Sequence, residues 1–326
     1  VKFAIVGAGA IGAFVGASLA HAGEDVTLVA RGEHLRAMRA SGVCVRSAQG
    51  DFIARPTVTD DIASIGPVDV VVLSLKAHQI GAVAGALPML FDANTTVVAM
   101  QNGMPWWYFE RHGGPYDGWS LESVDPGGRI AAAIASERVI GCVVYAATAI
   151  EAPGVIRNLE ARRFRLGELD RTIGERIRRL SATFVDAGLE APIDVDLRAE
   201  LWLKMLGNTS FNPISALTRA TLVDMAEDPL ASELARDVMA ECVAIATRLG
   251  VTLSATIDER LDVARRVGAH KTSMLQDLEA GRPMEIEAVV GSVAELGARL
   301  EIPTPATSHV YALVKLLART KTTSSL

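Results

Sequence analysis

The sequence predicts an α/β protein: a doubly wound parallel sheet over residues 1–195, followed by an all-helical part over residues 196–326. Three observations carry this expectation. Short β-prone runs alternate with helical stretches through the first half, beginning with Lys2–Val6 and Asp25–Val29. The first run passes directly into glycines at positions 7, 9 and 12 and then into the Ala-rich stretch Ala13–Ala22. From about Val195 the alternation stops, and long helical patterns run to residue 318 with breaks near Pro213, Gly250, Gly281–Pro283 and Pro303–Pro305. The stretch Ala187–Asp196 is the expected boundary, and the polar tail Thr320–Leu326 is expected to fray.

Composition narrows the function classes. The chain has 326 residues, of which 50% are hydrophobic and 21% charged, the balance of a chain with a sizeable core. Thirty-two Lys and Arg against 38 Asp and Glu leave a net charge of −6 and a pI near 5.6. That charge argues against a nucleic-acid partner, which needs clustered cations to neutralise phosphates. Cys44, Cys142 and Cys242 lie far apart with no CxxC or Cys/His spacing, so no disulfide framework and no metal site is expected. The run Val68–Leu75, broken by Asp69, is far short of the roughly 18 apolar residues that a bilayer span needs. No membrane association is expected, and a cytoplasmic location is.

Taken in order, the elements place candidate binding residues. The loop Gly7-Ala8-Gly9-Ala10-Ile11-Gly12 stands between a strand and a helix, the Rossmann-type context for binding a dinucleotide. There Gly7 serves the tight turn, Gly9 lets a pyrophosphate approach the backbone, and Gly12 lets helix and strand pack closely. The helix start offers unpaired N–H groups and a partial positive charge to phosphates. At the end of the second strand the chain reads Val29-Ala30-Arg31-Gly32, without the carboxylate that binds a ribose 2′-hydroxyl. Arg31 offers a cationic fork suited to a 2′-phosphate, so NADP(H) is preferred over NAD(H); the plain alternative is a solvated surface Arg. Val68–Leu75 and Thr95–Met100 read as further strands, and so does Val139–Ala147. Their carboxyl ends carry Lys76, Asn102 and Ala147, where ligands of doubly wound sheets bind.

Residues 103–129 hold six of the chain's sixteen aromatic residues with six glycines and three prolines, too irregular for one helix or strand. A lid, a contact between copies and a satellite hydrophobic cluster all fit that composition. Further on, Lys204, Asn208 and Asn212 are spaced i, i+4, i+8, which puts a cation and two amides on one helical face. Leu201, Met205 and Leu206 can pack on the other side. The alternative pairs Lys204 with Glu200 on a solvated surface. Ser273 and Gln276 have the spacing of a capping box, and Glu285 and Glu287 fall in the first turn of a further helix, where its dipole favours acids.

Five segments stand in order along the chain: Gly7-x-Gly9-x-x-Gly12, Leu75-Lys76-Ala77-x-Gln79, Gln101-Asn102-Gly103, Lys204-x3-Asn208-x3-Asn212-Pro213, and Ser273-Met-Leu-Gln-Asp277 followed by Glu285-Ile286-Glu287. Together they resemble the ketopantoate reductase family, within the superfamily that includes 6-phosphogluconate dehydrogenase. The resemblance covers nearly the whole chain. It implies NADPH-dependent reduction of 2-dehydropantoate to pantoate, with Lys204 as general acid and Glu285 at the junction of cofactor and substrate. It further implies that Asn102, Asn208, Asn212 and Ser273 hold the substrate. Arg31, Lys76, Asn102, Ala147 and Glu285 would join the glycine loop around NADP(H). A homodimer through the helical part is implied by the same resemblance. The chain departs from the family pattern where a third asparagine is usual, reading Leu217-Thr-Arg-Ala-Thr-Leu222, and after Glu285, where Ala288-Val-Val-Gly291 stands. The 103–129 connection is also longer than the family implies. Two other readings therefore stay open: a reductase of another 2-keto or hydroxy acid, and a catalytically silent NADP(H)-binding sensor.

Overall fold

The computed structural model describes residues 1–323, and its Cα packing divides them into two units. The first comprises Val1–Gln101, Pro105–Ser120 and Gly127–Leu197; the second, Asn102–Met104, Leu121–Pro126 and the chain from Arg198 on.

The first unit is built on one nine-stranded sheet. In chain order its elements are β1 (Lys2–Val6), α1 (Ala10–His21), β2 (Asp25–Val29), α2 (Gly32–Ser41), β3 (Val43–Arg46), β4 (Phe52–Ala54), β5 (Thr57–Thr59), β6 (Val70–Leu73), α3 (Ala77–Val83), β7 (Thr96–Ala99), α4 (Arg129–Ala133), β8 (Val139–Ala152), β9 (Val155–Glu168) and α5 (Glu175–Asp186). The strand order is β4-β3-β9-β8-β7-β6-β1-β2-β5. From β5 to β8 every neighbouring pair is parallel, and the order 5-2-1-6-7-8 is that of the doubly wound dinucleotide fold. All four residues of β6 and of β7 are buried, as a parallel strand covered on both faces requires. Both elements are shorter than the apolar runs around them. Helix α1 starts earlier than the Ala-rich stretch suggests, at Ala10, because the turn after β1 uses only three residues.

The remaining strands lie outside the expected alternation. β8 runs on to Ala152, past the expected end at Ala147, and turns at Pro153-Gly154 into the antiparallel β9. β3 then joins β9 in parallel and β4 closes that edge. The expected linker is itself tied to β9: Phe164 N–H donates to the Glu190 carbonyl (2.7 Å) and Leu166 N–H to that of Pro192 (2.9 Å). Within the aromatic connection Trp106, Trp107, Tyr108 and Phe109 are buried, with Tyr108 and Phe109 edge to face at 4.7 Å, while Gly113, Gly114, Pro115, Asp117 and Gly118 are exposed.

The second unit has no strand among its described residues. It consists of α6 (Leu197–Thr218, its first residue belonging to the sheet unit), α7 (Leu222–Glu227), α8 (Pro229–Arg248), α9 (Ile257–Val267), α10 (Ser273–Glu279), a π-helical turn (Glu287–Gly291), α11 (Ser292–Arg299) and α12 (Pro305–Thr323). The expected break at Pro213 does not occur. One missing donor costs the helix a single hydrogen bond, while Phe211, Ile214 and Ala216 around it are buried and hold it. Glu241 of α8 caps α12 by accepting from the Ala306 and Thr307 N–H groups, both at 2.8 Å. Residues 320–323 continue α12 where fraying was expected, and 324–326 lie outside the described residues. Among the described residues, no helix is long and apolar enough to cross a membrane, and no group of His, Cys, Asp and Glu could hold a metal ion.

Candidate active site

In the sheet unit the candidate groups are backbone groups. Gly7 has φ +106°, and a Cβ there would stand 2.8 Å from the Leu75 nitrogen. A Cβ on Gly12 would stand 2.3 Å from the Gly7 carbonyl oxygen, which itself accepts from the Ser74 hydroxyl at 2.8 Å. Gly9 is the opposite case, since a Cβ there meets nothing within 4 Å. Gly9 is the N-cap of α1 and offers no side-chain cap, and the first internal hydrogen bond is Ala13 N–H to the Gly9 carbonyl (2.9 Å). The N–H groups of Ala10, Ile11 and Gly12 are therefore left without intrahelical partners. Ala8 is buried, and its N–H donates to the Val29 carbonyl, tying the loop to β2.

Arg31 sits at the N-cap of α2, directly after β2, exposed and without a partner for its guanidinium among the described residues. Lys76, half-buried, is the N-cap of α3, and the Gln79 side chain accepts from its N–H at 3.1 Å. Ala147 lies at a β-bulge in β8, where the pairing with β9 slips. Gln101, after β7, donates its amide to the Leu73 carbonyl (2.9 Å), while its Oε1 is buried with no partner among the described residues.

In the helical unit the candidate groups are side chains. Lys204, Asn208 and Asn212 all lie on α6; the first two are half-buried and Asn212 is buried. Leu201, Met205 and Leu206 are buried, as expected of the packed side. Lys204 Nζ donates to Asn102 Oδ1 at 2.7 Å, joining two of the residues singled out from sequence although 102 positions separate them. The glycine after Asn102 is a close approach: Gly103 has φ +77°, and a Cβ there would stand 2.5 Å from the Ala288 carbonyl oxygen.

Two local expectations are corrected here. The N-cap of α10 is Thr272, whose hydroxyl accepts from the Leu275 N–H at 3.3 Å; Ser273 is the first helical residue and is exposed. Gln276 does not close a capping box, because its amide donates to the Lys271 carbonyl. Glu285 is half-buried and precedes the helix instead of lying in its first turn, and the turn beginning at Glu287 is π-helical. Glu287, within that turn, accepts from the Tyr311 hydroxyl at 2.5 Å and pairs with Lys315 at 2.9 Å. Burial, then the hydrogen bond to Glu287, raises the Tyr311 pKa. Sequence patterning missed this group and Thr209, which no motif marks.

A doubly wound sheet with an open glycine-rich turn, and a helical unit carrying a lysine–amide cluster, define a protein of the dinucleotide-fold dehydrogenase and reductase class. Two family models match: Ketopantoate reductase PanE/ApbA over residues 3–105, and Ketopantoate reductase PanE/ApbA C terminal over residues 196–318. A 2-dehydropantoate 2-reductase from Mesorhizobium japonicum is 47% identical over 319 residues, 98% of each chain. Among solved structures, a ketopantoate reductase candidate from Ralstonia solanacearum MolK2 is 40% identical with a TM-score of 0.93, covering 98% of each chain. A PanE/ApbA family ketopantoate reductase from Ralstonia eutropha JMP134 is 27% identical with a TM-score of 0.85, covering 99% of this chain and all of the other. The chain belongs to the ketopantoate reductase family.

Proposed function

We propose that this chain reduces 2-dehydropantoate to pantoate with NADPH, a step of pantothenate biosynthesis. The observation that carries the reading is the 47% identity, across 98% of both chains, to the Mesorhizobium japonicum 2-dehydropantoate 2-reductase. Residues 1–195 hold the cofactor in this reading and residues 196–326 the catalytic groups.

The residues present fit a phosphorylated dinucleotide. Gly9 leaves open the space a side chain would fill, and the start of α1 has N–H groups without intrahelical partners for a pyrophosphate. Arg31 is a cation without a partner among the described residues, at the position where a carboxylate would select NAD. Ala8, Ala10, Ile11, Lys76, Asn102, Ala147 and Glu285 complete the proposed cofactor set. When bound, NADPH supplies the hydride for the keto carbon. Lys204 holds the proton at Nζ and delivers it to the carbonyl oxygen as negative charge develops there. Its cationic head stabilises that charge electrostatically, more strongly in its half-buried position than in open water. Asn102 accepts from Nζ and so fixes where the ammonium points. Asn208 and Asn212 orient the substrate with neutral amides, and Ser273 adds a hydroxyl. In this reading Glu285 serves the junction of cofactor and substrate. The same reading carries a homodimer and a cytoplasmic location, the first open to sedimentation.

The test is oxidation of NADPH with 2-dehydropantoate, beside a panel of other 2-keto acids and an NADH control. A kcat/KM of at least about 10⁴ M⁻¹s⁻¹ for 2-dehydropantoate with NADPH is the expected result. Turnover of another keto acid alone would remove the substrate assignment and leave the Lys204 chemistry standing. Tight NADPH binding without any turnover would remove both.

A further inference from the structure

The π turn Glu287–Gly291 gathers more than its own hydrogen bonds. Helical turns of this kind widen the ladder by one residue and are frequent at functional sites. Two of its carbonyls accept from groups beyond the turn. The Ala288 carbonyl accepts from Met104 N–H at 2.7 Å and from the Ser292 hydroxyl at 2.8 Å. The Val289 carbonyl accepts from the hydroxyl of Thr209, a fully buried residue of α6, at 3.0 Å. Val289 N–H in turn donates to the Glu285 carbonyl at 3.2 Å. Segments bearing three proposed site residues thus meet on one turn: α6 with Lys204, the 102–104 loop with Asn102, and Glu285. Outside the turn, Tyr311 and Lys315 hold its first residue, Glu287.

We infer that this π turn sets the distance between Lys204 and Asn102, with Thr209 as the positioning residue that fastens α6 to it. Thr209 lies five positions after Lys204 on the same helix, so its anchor fixes how far α6 slides and rotates beneath the ammonium. Met104 is two positions after Asn102, and its bond to Ala288 fixes the other partner. The Gly103 approach leaves no room for that loop to shift, since even a methyl group there meets the Ala288 carbonyl oxygen at 2.5 Å. Cys242 of α8 also stands within hydrogen-bond reach of Thr209, and burial pushes its thiol up to about 12, so it stays protonated.

The inference rests on Lys204 being the proton donor, so its test includes a readout that needs no catalysis. Thr209→Val keeps the shape and removes the donor; Thr209→Ser restores it. In Thr209→Val, kcat should fall by about tenfold or more, as a misplaced catalytic group does, while KM for NADPH stays within about twofold. Hydrogen exchange at the Met104 amide should speed up by about tenfold, and Thr209→Ser should return both readings to within about threefold of the parent. An unchanged kcat, an unchanged Met104 exchange rate, or failure of the serine rescue would overturn the proposal. If Thr209→Val does not fold, Gly103→Ala attacks the same contact from the loop. It must give a comparable loss in kcat, and a parent-like kcat would again overturn the idea. Lys204→Ala run alongside separates the two readings: full activity there removes the proton-donor role, while Met104 exchange still decides whether Thr209 holds the loop.

Discussion

On the proposed reading, the glycine-rich turn after β1 and the α6 helix build a binding surface in two different ways. The turn works by leaving side chains out. Its useful groups are N–H dipoles, and its shape is fixed by contacts at Gly7 and Gly12 that would clash with any Cβ. Helix α6 works by putting side chains in, with Lys204, Asn208 and Asn212 repeated every four residues along one face. A backbone surface tolerates little change in shape but has no proton to give. On the proposed reading the side-chain surface supplies the proton donor, and its precision then depends on what holds the helix. This difference sets which measurements should move when each region is altered.

The largest effect belongs to the side-chain region. Lys204→Ala should lower kcat about a thousandfold, within the span usual for losing general-acid help, with KM for NADPH changed by no more than about threefold. Comparable losses in both parameters would erase the contrast. The glycine turn should answer differently, and its own members should differ from each other. Gly12→Ala forces a methyl group against the Gly7 carbonyl, so urea unfolding should show a loss of about 2 kcal/mol, as overpacking does. Gly9→Ala enters open space and should leave the unfolding midpoint alone, yet it should raise KM for NADPH about tenfold by blocking the pyrophosphate. Equal stability losses in the two variants would show that the turn is a packing device alone.

Arg31 sharpens the comparison at smaller cost. It is exposed with no partner among the described residues, so Arg31→Ala should not change stability. A lost charge-assisted bond to a 2′-phosphate is worth about 2 kcal/mol, so the NADPH-over-NADH ratio of kcat/KM should fall about thirtyfold. An unchanged ratio would leave Arg31 as a surface residue and move 2′-phosphate recognition elsewhere.

Legibility in the sequence tracks locality. The glycine spacing and the four-residue repeat on α6 are short-range patterns, and they mark β1, α1 and Lys204 directly. The β8–β9 hairpin needs only the Pro153-Gly154 turn signal, but its alternation is masked by the run of charged residues in Arg157–Arg165. The thin strands β3 to β5 have three or four residues each, too few for a periodicity to show. Thr209 is invisible for another reason. Its role comes from a carbonyl 80 positions away, in a π turn that no local preference announces. Asn102 and Lys204 are each marked by motif, but that they share a hydrogen bond is information only the folded unit contains.

The smallest effect, and the one most specific to the backbone-built region, concerns His34 of α2. Its Nδ1 accepts from Gly154 N–H at 3.0 Å, linking α2 to the tip of the β8–β9 hairpin. Burial lowers its pKa below the usual 6.5, and the nearby Ala8 carbonyl of the glycine turn offsets this only in part. A lowered value means that the unfolded chain takes up the proton first as pH falls. The stabilising contribution is therefore complete above about pH 6.5 and is lost as pH drops through the lower folded value. Protonation also turns Nδ1 from acceptor to donor against the Gly154 N–H, so that bond cannot persist. His34→Gln keeps an acceptor and removes the titration. Its urea midpoint should therefore fall less between about pH 7.5 and pH 5 than that of the parent. Because Ala8 is part of the turn, KM for NADPH should rise on acidification in the parent and less so in the variant, whereas the Lys204→Ala loss in kcat should be the same on either background. Parallel midpoint curves for parent and variant would remove His34 as the source of acid sensitivity. A change confined to kcat would place its influence on the side-chain region instead of the turn.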